Sequence, residues 1–208
     1  FAVKASQAVL KQEKIHCLIT TGPPHSTHLA GLQLAKQFQL NWWVDFRDPW
    51  LDVFYNKQLH RSQSSQAKDA ALEKTVLHYA SGVITTTGGD LHQSLLQKAP
   101  DQTFVALPNG YDADLMQQTP AAPKKDGFHI VYTGLLTQNQ GYSKLMEVFH
   151  ELSQSHTLSF TLAVNINPDI INEIKNSLPN VEVQYLGYLP HAEAIALMKS
   201  ANLLLNFI

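Results

Sequence analysis

The sequence has little cysteine: Cys17 alone stands in 208 residues, so no disulfide can form within the chain and a reducing compartment suits it. It has no apolar run near the ~18 residues of a membrane span, and nothing at its start reads as a secretory signal. It has no excess of either charge, with 15 Lys and Arg against 17 Asp and Glu and a formal net charge of −2. Without a basic stripe there is no electrostatic footprint for nucleic acid. Several signatures of chemistry are absent too: G-x-G-x-x-G, the phosphate-binding P-loop, G-x-S-x-G and H-E-x-x-H. Internal repeats and low-complexity tracts are also missing.

What is present is the composition of an ordinary globular protein, 44% hydrophobic and 15% charged, with three Trp. At ~100–200 residues per domain the length suggests one large or two small domains. Short apolar runs rich in Val and Ile occur at 16–20, 42–46, 83–86 and 103–107, then at 129–132, 159–164, 181–185 and 202–207. They read as strands buried on both faces. Between them lie helical spacings: Leu29, Leu32, Ala35 and Phe38; Leu72, Val76 and Tyr79; Leu145, Phe149 and Leu152; Ile170, Ile174 and Leu178. This alternation predicts α/β layers with right-handed crossovers. Both ends read as interior. Phe1 leads straight into a helical pattern, and NLLLNFI closes on a bare strand, so the chain is expected to be a piece of a longer protein.

One stretch breaks the pattern. ADLMQQTPAAPKKDG, residues 113–127, has two Pro, paired Gln, paired Lys and little to bury. It divides the chain into two Rossmann-like domains, 1–115 and 128–208, with a linker at 116–127 and the second domain incomplete. In open α/β sheets ligands bind beyond the carboxyl ends of the strands, so those ends hold the candidate sites.

TTGPPHSTH follows the first strand. Pro23 and Pro24 force a turn, and Ser26 or Thr27 can cap the helix that follows. The same helix start, with His25, Ser26 and His28, can instead receive an anion. His25 and His28 at a spacing of three, with Asp45 and Asp48 near, could also suggest a metal, but the spacing matches no metal motif, and none is expected. WWVDFRDPW places Asp45 and Arg47 on one face of a strand end and Phe46 and Asp48 on the other. Charges there are costly unless paired. Either Arg47 pairs with a carboxylate to lock the loop, or these groups wall a site for a hydroxyl-rich ligand with Trp50 as an apolar platform. Gly88-Gly89 allows close backbone approach at a helix start. LPNGYD, with Asn109 and Gly110, is a turn signal. In the second half, YTGLL places Gly134 and Leu135 after a strand, Gly141 opens a helix, and LGYLPHAEA places Gly187 and Tyr188 after another.

Together TTGPPHSTH, VDFRDPW, LPNGYD, HIVYTGLL and YLGYLPHAEAIALMKSANLLLNFI resemble segments of bacterial GT-B glycosyltransferases of the family-four type, over nearly the whole chain. The resemblance implies a retaining transfer from a nucleotide-sugar donor, used as co-substrate without a cofactor or metal, to a saccharide or lipid-linked acceptor. The setting it implies is envelope or exopolysaccharide synthesis in the cytoplasm, with peripheral association at the inner membrane face. It places the acceptor with the first domain, at His25, Ser26, His28, Trp50, Asn109 and Gly110. The catalytic cleft role falls to Asp45, Arg47 and Asp48, and donor contacts to Gly134, Leu135, Gly187 and Tyr188.

The chain departs from that family at GLLTQNQG, where Arg and Lys usually hold the donor diphosphate and this sequence has neither. The departure keeps a second reading open, a non-catalytic scaffold that binds a sugar nucleotide or a protein partner. Metal-assisted hydrolysis through His25, His28, Asp45 and Asp48 and sugar-nucleotide epimerisation complete the alternatives. On the transferase reading, this piece is expected not to turn over by itself.

Overall fold

The computed structural model describes residues 2–53 and 60–206. The chain forms two compact units, Phe1–Gly110 and Tyr111–Ile208. The first contains α1 (Ala2–Gln12), β1 (Cys17–Gly22), α2 (Ser26–Phe38), β2 (Asn41–Phe46), α3 (Gln63–Tyr79), β3 (Gly82–Thr85), α4 (Asp90–Lys98) and β4 (Phe104–Ala106). The second contains α5 (Ala113–Gln118), β5 (Phe128–Leu136), α6 (Tyr142–Leu152), β6 (Leu158–Ile166), α7 (Pro168–Ser177), β7 (Glu182–Tyr185), α8 (His191–Ser200) and β8 (Leu203–Leu204). Every strand read from the sequence is present and every pairing is parallel. Phe207, placed at the end of the last strand by its apolar run, lies outside the described residues.

In the first unit the strands stand in the order β1-β2-β3-β4. The register aligns Thr20 with Val44, Val44 with Val83, and Val83 with Phe104. Because side chains alternate, this row lies on one face of the sheet. That face is buried under Ala35 of α2, Val76 and Leu77 of α3, and Leu95 of α4, together with Trp42 and Phe46 from β2. Burying each such large side chain contributes about 1.5–3 kcal/mol. Helix α2 comes very close to the sheet at Gly31, where a Cβ would lie 2.5 Å from Thr20 Cγ2 and 2.7 Å from Trp42 Nε1. The opposite face leaves Ile19 60% exposed, so strands predicted as buried on both sides are covered mainly on one.

In the second unit the order is β7-β6-β5-β8. Ile130, Tyr132, Phe160, Leu162 and Val164 pack with Met146 and Phe149 of α6 and Ile170 and Ile174 of α7. On the other face Val131 and Ala163 pack with Leu197 of α8. Chain direction through the sheet reverses beside β5, which makes the β5/β8 border a topological switch point.

Composition reads 116–127 as a linker with little to bury. The structure divides the units between Gly110 and Tyr111 and forms α5 inside the polar stretch. Asp112 caps that helix by accepting from Leu115 N at 2.8 Å. Beyond it, Ala122 N donates to Ala196 O at 2.8 Å, and Lys199 Nζ donates to Thr119 O at 2.6 Å and to Met116 O. Polar composition fails to reveal this packing because backbone carbonyls, which every residue has, make most of the contacts.

Candidate functional site at the strand ends

At the carboxyl end of the first sheet, β1 turns at Gly22-Pro23-Pro24 into α2, while β2 ends beside it at Phe46. Arg47 N donates to Gly22 O at 3.2 Å and ties the two strand ends together. The groups predicted to share one cleft separate into two clusters.

The first cluster faces the helices. His25 Nε2 lies 3.0 Å from the backbone carbonyl oxygen of Asp48. A carbonyl can only accept, so Nε2 carries the proton and Nδ1 of the neutral ring keeps a lone pair. The ring stacks on Trp50, with centroids 5.2 Å apart and planes 15° apart. Trp50 therefore serves His25 as a platform, the role its sequence position assigns it toward a ligand.

His28 lies deeper. It is fully buried against Phe46, with ring centroids 4.8 Å apart. Its Nδ1 is 2.9 Å from Thr20 Oγ1, which also accepts from Trp42 Nε1 at 3.0 Å. Burial, helped by neighbouring His25, lowers its pKa from 6.5 to about 4, so the ring is neutral at physiological pH. Its Nε2 has no hydrogen-bond partner among the described residues and points at Gly22, where a Cβ would meet it at 2.7 Å. The resemblance sets His28 with His25 among the acceptor contacts; packing against Phe46 buries its ring in this structure. Ser26 is exposed and makes no cap. The helix start is closed by backbone bonds, Thr27 N to Pro24 O and His28 N to His25 O, both 3.0 Å, so the expected side-chain cap from Ser26 or Thr27 is replaced by a tight turn.

The second cluster carries the charge. Arg47 lies 3.7 Å from Asp45 Oδ2 and donates to Asn109 Oδ1, which brings the DFRDPW and PNG stretches together. The guanidinium side chain remains 42% exposed, so it can still meet a ligand. Asp48 is exposed and its carboxylate makes no hydrogen bond or ion pair among the described residues. Among the described residues, nothing lies within 4 Å of a Cβ position at Gly110.

Sequence reasoning misses two neighbours. Thr85 Oγ1 donates to Thr87 O at 2.9 Å and lies 2.8 Å from His92 Nδ1. With its one proton spent, Thr85 must accept from His92 Nδ1–H, leaving His92 Nε2 free to accept. Glu73, 2% exposed, pairs with Lys98 at 2.8 Å, and Lys98 reaches Asp52 at 3.3 Å. Burial pushes the Glu73 carboxyl above its ordinary range, opposed by Lys98. Glu73 on α3 gives no sequence signal of burial, since its partners lie on other elements.

In the second unit β5 runs on to Leu136, pairing Gly134 with Val164, Leu135 with Asn165 and Leu136 with Ile166. Gly134 and Leu135 thus belong to the strand rather than to the loop after it, and Gly134 adopts φ 140° there. Gly187, at φ 67°, and Tyr188, 86% exposed, follow β7. The donor-side candidates therefore divide between two strand ends, with β6 between them. Among the described residues, no three His, Cys, Asp or Glu side chains are grouped to hold a metal ion.

No protein-family model and no curated protein sequence matches the chain. Solved structures do. A glycosyltransferase from Rickettsia africae ESF-5 is similar over 97% of this chain and 54% of its own, with TM-score 0.71 and 14% identity. HepE from Anabaena, solved in complex with UDP, covers 96% of this chain and 55% of its own, with TM-score 0.61 and 15% identity. The fold is GT-B. The same fold carries a UDP-GlcNAc 2-epimerase from Neisseria meningitidis bound to UDP-GlcNAc, similar over 97% of this chain and 56% of its own, with TM-score 0.54 and 15% identity. The chain spans about half the length of these proteins, and at such identity the likeness establishes GT-B architecture rather than a reaction. No helix among the described residues is long and apolar enough to cross a membrane.

Proposed function

We propose that these units serve a retaining glycosyltransferase. It moves a sugar from a nucleotide-sugar donor to a saccharide or lipid-linked acceptor in envelope or exopolysaccharide assembly, at the cytoplasmic membrane face. The observation that carries this reading is the gathering of three distant stretches, GPPHS, DFRDPW and PNG, at one sheet end on a fold that glycosyltransferases share. In the reaction the acceptor oxygen bonds to the anomeric carbon as that carbon's bond to the diphosphate breaks, and the acceptor proton passes to the departing phosphate. His25 Nδ1 accepts a hydrogen bond from the acceptor hydroxyl and orients it. Arg47, held by Asp45 and Asn109, faces the developing charge. Asp48 contributes an exposed carboxylate beside them.

A second reading, a non-catalytic scaffold, is favoured by residues 134–141, which contain no Lys or Arg to meet a diphosphate. The test is transfer of labelled sugar by the full-length protein from millimolar UDP-, GDP- and ADP-sugars to polysaccharide and lipid-linked acceptors, with Arg47→Ala beside the parent. Transfer that falls in the variant supports the transferase. Donor binding with no transfer to any acceptor supports the scaffold.

A further inference from the structure

Glu73 is an unfavourable residue for its place. It is buried on α3 with Val76 and Leu77, where a carboxylate costs free energy unless it is paired. An apolar side chain of similar volume would fill the same space without that cost. The carboxylate supplies direction instead. Its Oε2 accepts from Lys98 Nζ at 2.8 Å, and the same ammonium, which has three donors, reaches Asp52 Oδ2 at 3.3 Å. The Lys98 side chain is 32% exposed and that of Asp52 68%, so this line of charges runs from the core of the first unit to its surface.

Asp52 closes the stretch that holds His25. Arg47 N still bonds to the end of β1, through Gly22 O, but Pro49 has no N–H to add to the sheet. Residues 48–52 then make two contacts with the imidazole. The Asp48 carbonyl accepts from Nε2–H, and the Trp50 ring stacks against it. Trp50 also packs against the core that Leu91 of α4 joins. Lys98 ties the far end of the stretch to α3 and α4, and Glu73 lies near enough to His25 for their charges to interact.

We propose that Glu73 is a positioning residue for His25. Through Lys98 it holds Asp52, and so the stretch whose carbonyl and indole set the imidazole. The consequence for transfer rests on the transferase reading, in which His25 orients the acceptor hydroxyl; the placement of the ring stands apart from it.

The experiment reads the carbon-bound ring protons of labelled histidines by NMR in the full-length protein at fixed pH. Planes 15° apart set the His25 protons over the indole, whose ring current moves them upfield, and Trp50→Leu gives their unstacked positions. His92, edge-on to Phe104 at 5.4 Å, reports whether the first unit is folded. Lys98→Met is expected to carry the His25 signals most of the way to the Trp50→Leu positions with His92 unmoved, and Lys98→Arg to keep them at the parent positions. Asp52→Ala removes only an exposed side chain, so it decides the matter should Lys98→Met fail to fold. Movement of the His25 signals in Asp52→Ala, with His92 unmoved, supports the proposal. Signals that stay at the parent positions in Asp52→Ala overturn it, whatever Lys98→Met does, because the link runs through Asp52. Transfer is measured beside this: on the transferase reading Asp52→Ala lowers kcat about tenfold with the donor KM unchanged. A displaced His25 with kcat intact upholds the positioning and counts against the role of His25 in transfer.

Discussion

His25 donates through Nε2 to the backbone carbonyl of Asp48, not to its carboxylate, across 3.0 Å. The carboxylate of Asp48 is thereby left to solvent while its main chain holds the imidazole in place. Position and chemistry in this pair belong to different atoms, and substitutions can separate them.

Asp48→Ala should leave unfolding free energy within ~0.5 kcal/mol of the parent, since an exposed, unpaired side chain is removed. In the full-length protein, transfer should fall about tenfold if the carboxylate makes one charge-assisted hydrogen bond to a substrate. His25→Ala should cost ~1–2 kcal/mol by losing both the hydrogen bond and the stack on Trp50. Urea titration of both variants checks this; an Asp48→Ala loss as large as that of His25→Ala would assign the carboxylate a structural role.

Acid should destabilise the first unit through His28. Its folded pKa, about 4, lies below the unfolded 6.5, so below pH 6.5 the unfolded chain binds a proton that the fold refuses. Stability therefore falls as pH drops from 6.5 toward 4, by about 3 kcal/mol for this group, and is unaffected by it above that window. His28→Asn keeps a partner for Thr20 and should show a flatter profile in chemical denaturation across the same range. Identical slopes in parent and variant would remove His28 as the source.

Glu73 and Lys98 form the most deeply set ion pair among those described, with Glu73 only 2% exposed. Lys98→Met should destabilise toward the lower end of ~3–5 kcal/mol, because Glu73 can take up a proton in place of its lost partner. Adding Glu73→Leu should recover most of the loss, since apolar replacements of a buried pair are often neutral. A single-variant cost below ~1 kcal/mol would mean that the partly exposed lysine contributes little.

Nucleotide affinity should be weak in this chain. Residues 134–141 offer backbone N–H groups and neutral side chains but no cation. A helix dipole contributes only ~0.3–1 kcal/mol to an exposed anion, against the ~4 kcal/mol that even millimolar affinity requires. Calorimetric titration with UDP, GDP and their sugars should show nothing tighter than about millimolar. Micromolar binding would show that a complete donor site exists without those cations.

Much of this architecture is legible in the sequence because strand and helix periods are local properties. Val44, Phe46, Ile130 and Leu162 announce their strands by composition, and Leu29, Val76, Phe149 and Ile174 announce helices by spacing. The site is legible in part. Alternation along DFRD correctly sets Asp45 with Arg47 and apart from Phe46. The fate of His28 is not local: it depends on Phe46 and Thr20 arriving from two strands. The same holds for Glu73, whose partner Lys98 sits 25 residues away. The length of β5 is hidden too, because Gly134 looks like a strand end until the full ladder with β6 carries it through.

The ammonium of Lys199, donating to Thr119 O and Met116 O, makes the stretch after α5 a strap across the second unit rather than slack between two bodies. A protease that cuts between Thr119 and Ala122 would free α5 to leave with the first unit and strip Lys199 of its acceptors. Cleavage between Gly110 and Tyr111 would release the second unit with its strap intact. The second unit prepared from Tyr111 onward should therefore melt higher than the same unit prepared from residue 128.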